Sequence, residues 1–190
     1  MTELPLLEVA DREELRAWLA RNATTSTGVR LAVGKKGGTA THLTYDDAVE
    51  EALSFGWIDS TAGRLDDDRY TITFTPRKPR SGWSRSNKAR VEQLVAQGRM
   101  APPGLTAIEA AKASGAWTAL DEVEDLVVPE DLAAALAQNP AADAFWRTLG
   151  PSARKIALFR IASAKRPETR ARRIAETVAE AAEGRARNRP

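Results

Sequence analysis

Arg69-Tyr70-Thr71-Ile72-Thr73-Phe74-Thr75-Pro76 alternates apolar and polar residues without a break. Successive side chains of a strand point to opposite faces, so Tyr70, Ile72 and Phe74 share one face and the three threonines share the other. One apolar face and one polar face mark an antiparallel strand. Upstream, residues 57–61 read as a second strand, joined to the first by the acidic turn Leu65-Asp66-Asp67-Asp68. Residues 28–33 alternate too, with Val29, Leu31 and Val33 on one side, and the strand ends at Gly34 before the loop Lys35-Lys36-Gly37-Gly38.

One helix fits before these strands and a second between the first two of them in chain order. Asp11 is an N-cap for residues 11–21, where Leu15, Trp18 and Leu19 form one stripe. Thr44 and Asp47 form a capping box that opens a helix running to about Phe55 and stopping at Gly56, expected to bury Tyr45, Ala48, Val49, Ala52 and Leu53. Beyond Pro79 every segment reads as helix. Ser84 or Ser86 opens a helix closed by Gly98, and Pro102-Pro103-Gly104 separates it from another that begins at the Thr106/Glu109 capping box. Residues 116–128 are an acidic connection, and Pro129, Pro140, Pro151 and Pro167 each stand in a first helical turn. The expected fold is α+β: a small, mainly antiparallel β-sheet with two helices in residues 1–79, then a C-terminal helical bundle. The helical region, 80–185, is expected to pack on the sheet unit, and 186–190 to be a frayed tail.

A chain of 190 residues suits one ordinary domain or two small ones sharing a core. With 43% apolar and 28% charged residues, it is not a disordered chain. It has no cysteine, which excludes disulfides, a thiolate nucleophile and cysteine-ligated zinc, and its single histidine, His42, excludes a histidine-rich metal site within one chain. The first residues lack the basic stretch and apolar core of a signal peptide, and no apolar run nears the ~20 residues that span a bilayer. A cytoplasmic protein without membrane attachment is expected.

The net charge of +2 hides a strong asymmetry. Residues 1–76 hold 8 bases and 13 acids and residues 77–99 hold 7 bases and 1 acid; residues 100–153 hold 2 bases and 8 acids and residues 154–190 hold 11 bases and 4 acids. Such blocks mark either an anion-binding face or solvated helix surfaces.

Catalytic templates do not fit. A Ser-His-Asp triad would have to use His42, and no serine sits in a nucleophile elbow. Lys35-Lys36-Gly37-Gly38 lacks the ending of a phosphate loop, and Asp66-Asp67-Asp68 lacks EF-hand spacing. No metal and no cofactor is expected. Trp57 and Asp59 differ: two apart on a strand, they share a face, an arrangement that holds a polar or cationic ligand. The structural alternative is a core tryptophan with Asp59 capping a turn or pairing with Arg69. Arg77, Lys78 and Arg80 leave the third strand towards Trp83 and Asn87, and the helix starting near Ser84 would aim free N–H groups at the same rim, favouring an anion. Lys36 could close that rim, while Ser84 and Ser86 also serve as caps.

Several pieces resemble one known family: Glu-Ala-Leu-Ser-Phe-Gly-Trp-Ile-Asp-Ser at 51–60, Arg-Tyr…Phe-Thr-Pro-Arg at 69–77 and Trp-Ser-Arg-Ser-Asn-Lys at 83–88. Gly-Arg-Met-Ala-Pro-Pro-Gly-Leu at 98–105 and Ser-Ala-Lys-Arg-Pro-Glu-Thr-Arg-Ala-Arg-Arg-Ile at 163–174 extend the likeness. Together they resemble the YdeI/OmpD-associated family, described as bacteriocin-protection proteins, over about 30–180. Ser54 stands where many relatives are expected to carry cysteine, so a thiol is not essential here. The resemblance implies a bacterial cytoplasmic protein and supplies no catalytic residues. The function expected is non-enzymatic: binding a small polar or anionic ligand, in antimicrobial or stress protection, with no membrane partner. Trp57 and Trp83 would stack on the ligand, Asp59 and Asn87 would hydrogen-bond it, and Lys36 and Arg77 would supply charge. The alternatives are nucleic-acid binding through Arg77–Arg90 and the basic helices of 154–173, and an enzyme with Asp59 as acid/base.

Overall fold

The computed structural model describes residues 4–186. The chain divides into two compact units between Thr118 and Ala119. The tail residues 187–190 lie outside the described residues.

The N-terminal unit is built on a four-stranded sheet of β1 (Leu6–Leu7), β2 (Val29–Gly34), β3 (Trp57–Arg64) and β4 (Arg69–Pro76), in the order β1-β2-β4-β3. β4 lies inside it, antiparallel to both β2 and β3. The sheet is mixed, since β1 pairs parallel with β2. Parallel neighbours need a crossover, and α1 (Arg12–Asn22) supplies it. Alternation places Val29, Leu31, Val33, Ile72 and Phe74 in the core. Tyr70 stands at the margin, half-buried. On the other face Thr71 is buried, contrary to expectation, because it sits between Ala32 and side-chain-free Gly63 in the ladder.

The caps read in the sequence form. Asp11 accepts from the Glu14 N–H at 3.0 Å and starts α1; Thr44 accepts from the Asp47 N–H at 3.2 Å and starts α2 (Tyr45–Ser54). Gly56, with φ +77°, takes the left-handed turn from α2 into β3. Two features of α2 depart from the sequence reading. Tyr45 is 40% exposed, because the first helical turn overhangs the sheet margin, and Glu51 is 1% exposed. Its carboxylate accepts from Arg12 Nε at 2.6 Å, Arg16 Nη1 at 2.8 Å and Arg99 Nη2.

α3 (Arg85–Ala96) starts at the Ser84 cap, and Val91 and Leu94 join the sheet core. α4 begins at Pro102, not at Thr106, because Pro102 and Pro103 occupy the first turn, where a missing N–H is harmless. Gly104 is therefore helical. Its bare Cα lets α4 approach α2: a Cβ there would lie 2.2 Å from Ser54 O.

The second unit carries α5 (Asp121–Glu124), α6 (Glu130–Ala137), α7 (Pro140–Thr148), α8 (Pro151–Ala162) and α9 (Pro167–Ala182). Its core gathers Leu132, Leu136, Trp146, Leu158, Ile161 and Ile174. Among the described residues no helix is long and apolar enough to cross a membrane.

Two stability measurements follow from this packing. Removing one partner of a buried ionic cluster typically costs ~3–5 kcal/mol, so Glu51→Gln is expected to lower unfolding free energy by about that much in a denaturant titration. Glu109→Ala, which removes an exposed partner of Lys112, should stay within ~0.5 kcal/mol. Equal effects of the two would show that Glu51 is not held as described. Gly104→Ala should also destabilise, by ~1–3 kcal/mol, through overpacking against Ser54 O, although alanine ordinarily favours a helix interior by ~0.5–1 kcal/mol. A stabilised Gly104→Ala variant would contradict the close helix crossing.

Candidate functional site

The turn at Gly56 folds β3 back beneath α2, and this brings Asp59 to Tyr45. The Tyr45 hydroxyl donates to Asp59 Oδ2 at 3.0 Å. A register shift between Asp59 and Ala62 keeps both residues opposite core-facing partners, Phe74 and Ile72. Such bulges re-aim side chains at a sheet edge. Here the result is a concavity of about 300 Å³ walled by Tyr45, Asp59, Ser60, Ala62, Tyr70 and Ile72. A second concavity of about 450 Å³ shares Tyr45 and Tyr70 and runs on past Thr44, His42, Lys36 and Lys35. Lys35 Nζ is occupied with the Asp66 and Asp67 carbonyls, at 2.7 and 3.1 Å. Lys36 is exposed on the rim.

Burial, the Asp59 charge and the hydrogen bond to Asp59 push the Tyr45 phenol up to about 12. Burial, aided by Asp46, also raises Tyr70. Arg90 stands nearby, its Nη2 paired with Asp46 Oδ1 at 2.8 Å. Arg69, the structural partner considered for Asp59, pairs instead with Asp66 and Glu8. Asp66 itself closes the β3–β4 turn, accepting from the Asp68 and Arg69 N–H groups at 3.0 and 2.7 Å.

Arg77 follows directly on β4, its N–H bonded to Gly56 O at 2.9 Å. The guanidinium lies 3.6 Å from the Trp83 ring centroid, and Nη1 donates to Gly82 O at 3.2 Å. Nε and Nη2 are buried and have no hydrogen-bond partner. Burial pushes Arg77 down to about 10, against the opposing pull of Asp59. Trp83 is 1% exposed and packs on Trp117 at 5.0 Å. Trp57 is also 1% exposed; it meets Trp18 edge-on at 5.8 Å and donates Nε1–H to Ala23 O at 3.1 Å. Both indoles sit in the core rather than on a wall. Asn87 is half-buried in the first turn of α3, where its N–H donates to the Ser84 cap at 3.3 Å.

Of the six residues singled out in sequence, Asp59 and Lys36 therefore line adjoining concavities and Arg77 stacks on Trp83. Tyr45 and Tyr70, which join the two concavities, had been read only as core residues. Tyr45 is the first residue of α2 and Tyr70 the second of β4, so each stands at the start of its element. Among the described residues no three histidine, aspartate or glutamate side chains gather as a metal site would need.

No curated protein and no solved structure matches the chain. Residues 125–184, spanning α6 to α9, match the family model described as Bacteriocin-protection, YdeI or OmpD-Associated. The motifs at 51–60, 69–77, 83–88 and 98–105 fall instead within residues 7–107, which match the model of a family described as Domain of unknown function (DUF8412). The chain thus belongs to that second family across the sheet unit that carries the candidate site, and its residues 125–184 are similar to the YdeI/OmpD-associated family.

Proposed function

We propose that the N-terminal unit binds a small polar ligand in the Tyr45–Tyr70 groove and does not transform it. The observation that carries this reading is the Asp59 carboxylate on the groove wall, oriented by the Tyr45 hydroxyl at 3.0 Å. A carboxylate positioned in this way is a ready acceptor for a donor or cation presented between two aromatic rings. Binding is favoured over catalysis by the phenol's hold on its proton, raised to about 12, which suits a fixed donor at neutral pH rather than a transfer group. The description of the C-terminal match as bacteriocin-protection supports a sequestering role, in which the compound held is one that harms the cell.

The same reading assigns the basic residues of the C-terminal unit to packing rather than to a nucleic-acid face. Arg170 is bonded to both oxygens of Asp131 at 2.6 and 2.9 Å, Lys155 to Glu124 at 2.5 Å, and Arg160 pairs with Glu176. Arg173 donates to Arg160 O and to Ser163 Oγ. Alanine at Arg170 and Arg173 should therefore lower thermal stability. Sub-micromolar, steeply salt-dependent duplex binding that is lost in that variant would reverse the assignment.

Two measurements on Asp59→Asn test the groove. The chain has two tyrosines, so tyrosinate absorbance reports Tyr45 and Tyr70 alone. In the native protein both should ionise above the ordinary tyrosine range, and Asp59→Asn should bring the Tyr45 midpoint down from about 12, because it removes the Asp59 charge while the effect of burial remains. A midpoint unmoved by the substitution would dissolve the pair. A thermal-shift screen of metabolites and antimicrobials then supplies the ligand. At ~100 times its dissociation constant it adds ~2.7 kcal/mol, a rise of roughly 5–10 °C for a chain of this size. Asp59→Asn should abolish that rise and leave unliganded stability within ~1 kcal/mol. A rise that persists in the variant places the ligand elsewhere.

A further inference from the structure

The two concavities that meet at Tyr45 and Tyr70 differ in charge. The first has an acid on its wall, Asp59, and no base; the second has Lys35, Lys36 and His42 and no acid. Asp59 is bonded through one oxygen only, since Tyr45 donates to Oδ2 at 3.0 Å and, among the described residues, Asp59 takes part in no ion pair. The donor is a neutral phenol, so the bond orients the carboxylate without offsetting its charge. Nor is that charge offset from within the groove. Arg90, which acts on Tyr45, is paired with Asp46 at 2.8 Å. Arg77 acts on Asp59 but walls neither concavity and stacks on Trp83 instead.

A cation entering the first concavity therefore meets a carboxylate beside two aromatic side chains, the combination that attracts an ammonium group. An anion meets the same carboxylate and no base on those walls. On the reading that the groove is the binding site, we infer that its ligand is an organic monoamine, with its ammonium on Asp59, its apolar part against Tyr45, Tyr70 and Ile72, and no second cationic group beyond them. The concavity of about 300 Å³ is at the lower end of the range for small-molecule sites and suits such a compound. The limit to one charge comes from the second concavity. Lys35 Nζ is held there by the Asp66 and Asp67 carbonyls, and Lys36 stands exposed on the rim. A second ammonium carried past the tyrosines thus meets like charge, so polyamines are refused where a single amine is accepted.

Four probes built on one ring separate the charges: benzylamine, benzyl alcohol, benzoate and p-xylylenediamine. Each is titrated into the full chain by calorimetry, with amide chemical shifts read in parallel. Benzylamine is expected to bind at least ~10-fold more tightly than the alcohol or benzoate, and the diamine no more tightly than benzylamine. Asp59→Asn should bring benzylamine down to the affinity of the alcohol. Lys36→Glu should strengthen the diamine relative to benzylamine, a change that a merely structural role of Lys36 does not produce. Equal affinity of benzylamine and either the alcohol or benzoate for the native protein overturns the monoamine. So does a diamine that binds ~10-fold more tightly than benzylamine. The groove reading survives either result if the bound probe still shifts the amides of Tyr45 and Tyr70. If none of the probes shifts those amides, both ideas fall.

Discussion

The N-terminal unit depends on one buried carboxylate. Glu51 lies on the inner side of α2, 1% exposed, where an unpaired charge would not be tolerated. Three arginines from outside α2 hold it: Arg12 and Arg16 from α1, and Arg99 from the segment between α3 and α4. Arg12 also reaches Asp47 and Glu50, and Arg99 reaches Glu50. Burial alone would lower the proton affinity of Arg12, but its hydrogen bonds to Glu51 and Glu50 raise it above the usual value. The cluster fixes the position of α2 against both neighbours. Tyr45, on the first turn of the same helix, is thereby set over Asp59 on β3. The groove is thus shaped by ionic contacts that do not line it.

The cluster also accounts for the charge blocks along the chain. The acids of α2 take their partners partly from the basic segment that follows the sheet: Asp46 with Arg90, Glu50 and Glu51 with Arg99. In the C-terminal unit the acidic and basic blocks meet in the same manner, Asp131 with Arg170 and Glu124 with Lys155. Much of the asymmetry that could have marked an anion-binding face is therefore neutralised within each unit. Arg77 is different. It belongs to the basic segment, yet it stacks on an aromatic ring instead of pairing with a carboxylate, and two of its nitrogens stay unsatisfied. Among the described residues Arg154 Nε is also buried without a hydrogen-bond partner.

What the sequence revealed was local. The period of two in residues 69–76 specified β4 and its inward face, and caps at Asp11, Thr44 and Ser84 set three helix starts, because each effect acts within a few residues. What it hid was decided by contacts distant in sequence. Nothing within α2 distinguishes Glu51 from Glu50, since the arginines that bury it lie 35 to 48 residues away. Pro102-Pro103-Gly104 reads as a break by composition, but the glycine serves a helix crossing with Ser54, and only the partner helix reveals that. β1 is two residues long and owes its existence to pairing with β2. Of the site, Asp59 was legible as an acid in an apolar strand. Tyr45 was not, because an amphipathic stripe does not say where its helix overhangs the sheet.

The two family matches bear on how function can be divided. One ends at residue 107 and the other begins at residue 125, and the boundary between the compact units, at Thr118, falls between them. Trp117, the last aromatic before that boundary, contributes to the first unit: it backs Trp83, while the ammonium groups of Lys88 and Lys112 approach its ring at 5.6 and 5.9 Å. The stack from Arg77 through Trp83 to Trp117 is therefore complete within the sheet unit. The bacteriocin-protection description attaches to the helical segment, whereas the groove, the Tyr45–Asp59 pair and Arg77 all belong to the other family's span. The Tyr45–Asp59 pair and the groove it walls thus lie in the span of the first match, outside the helical segment that carries the protective description.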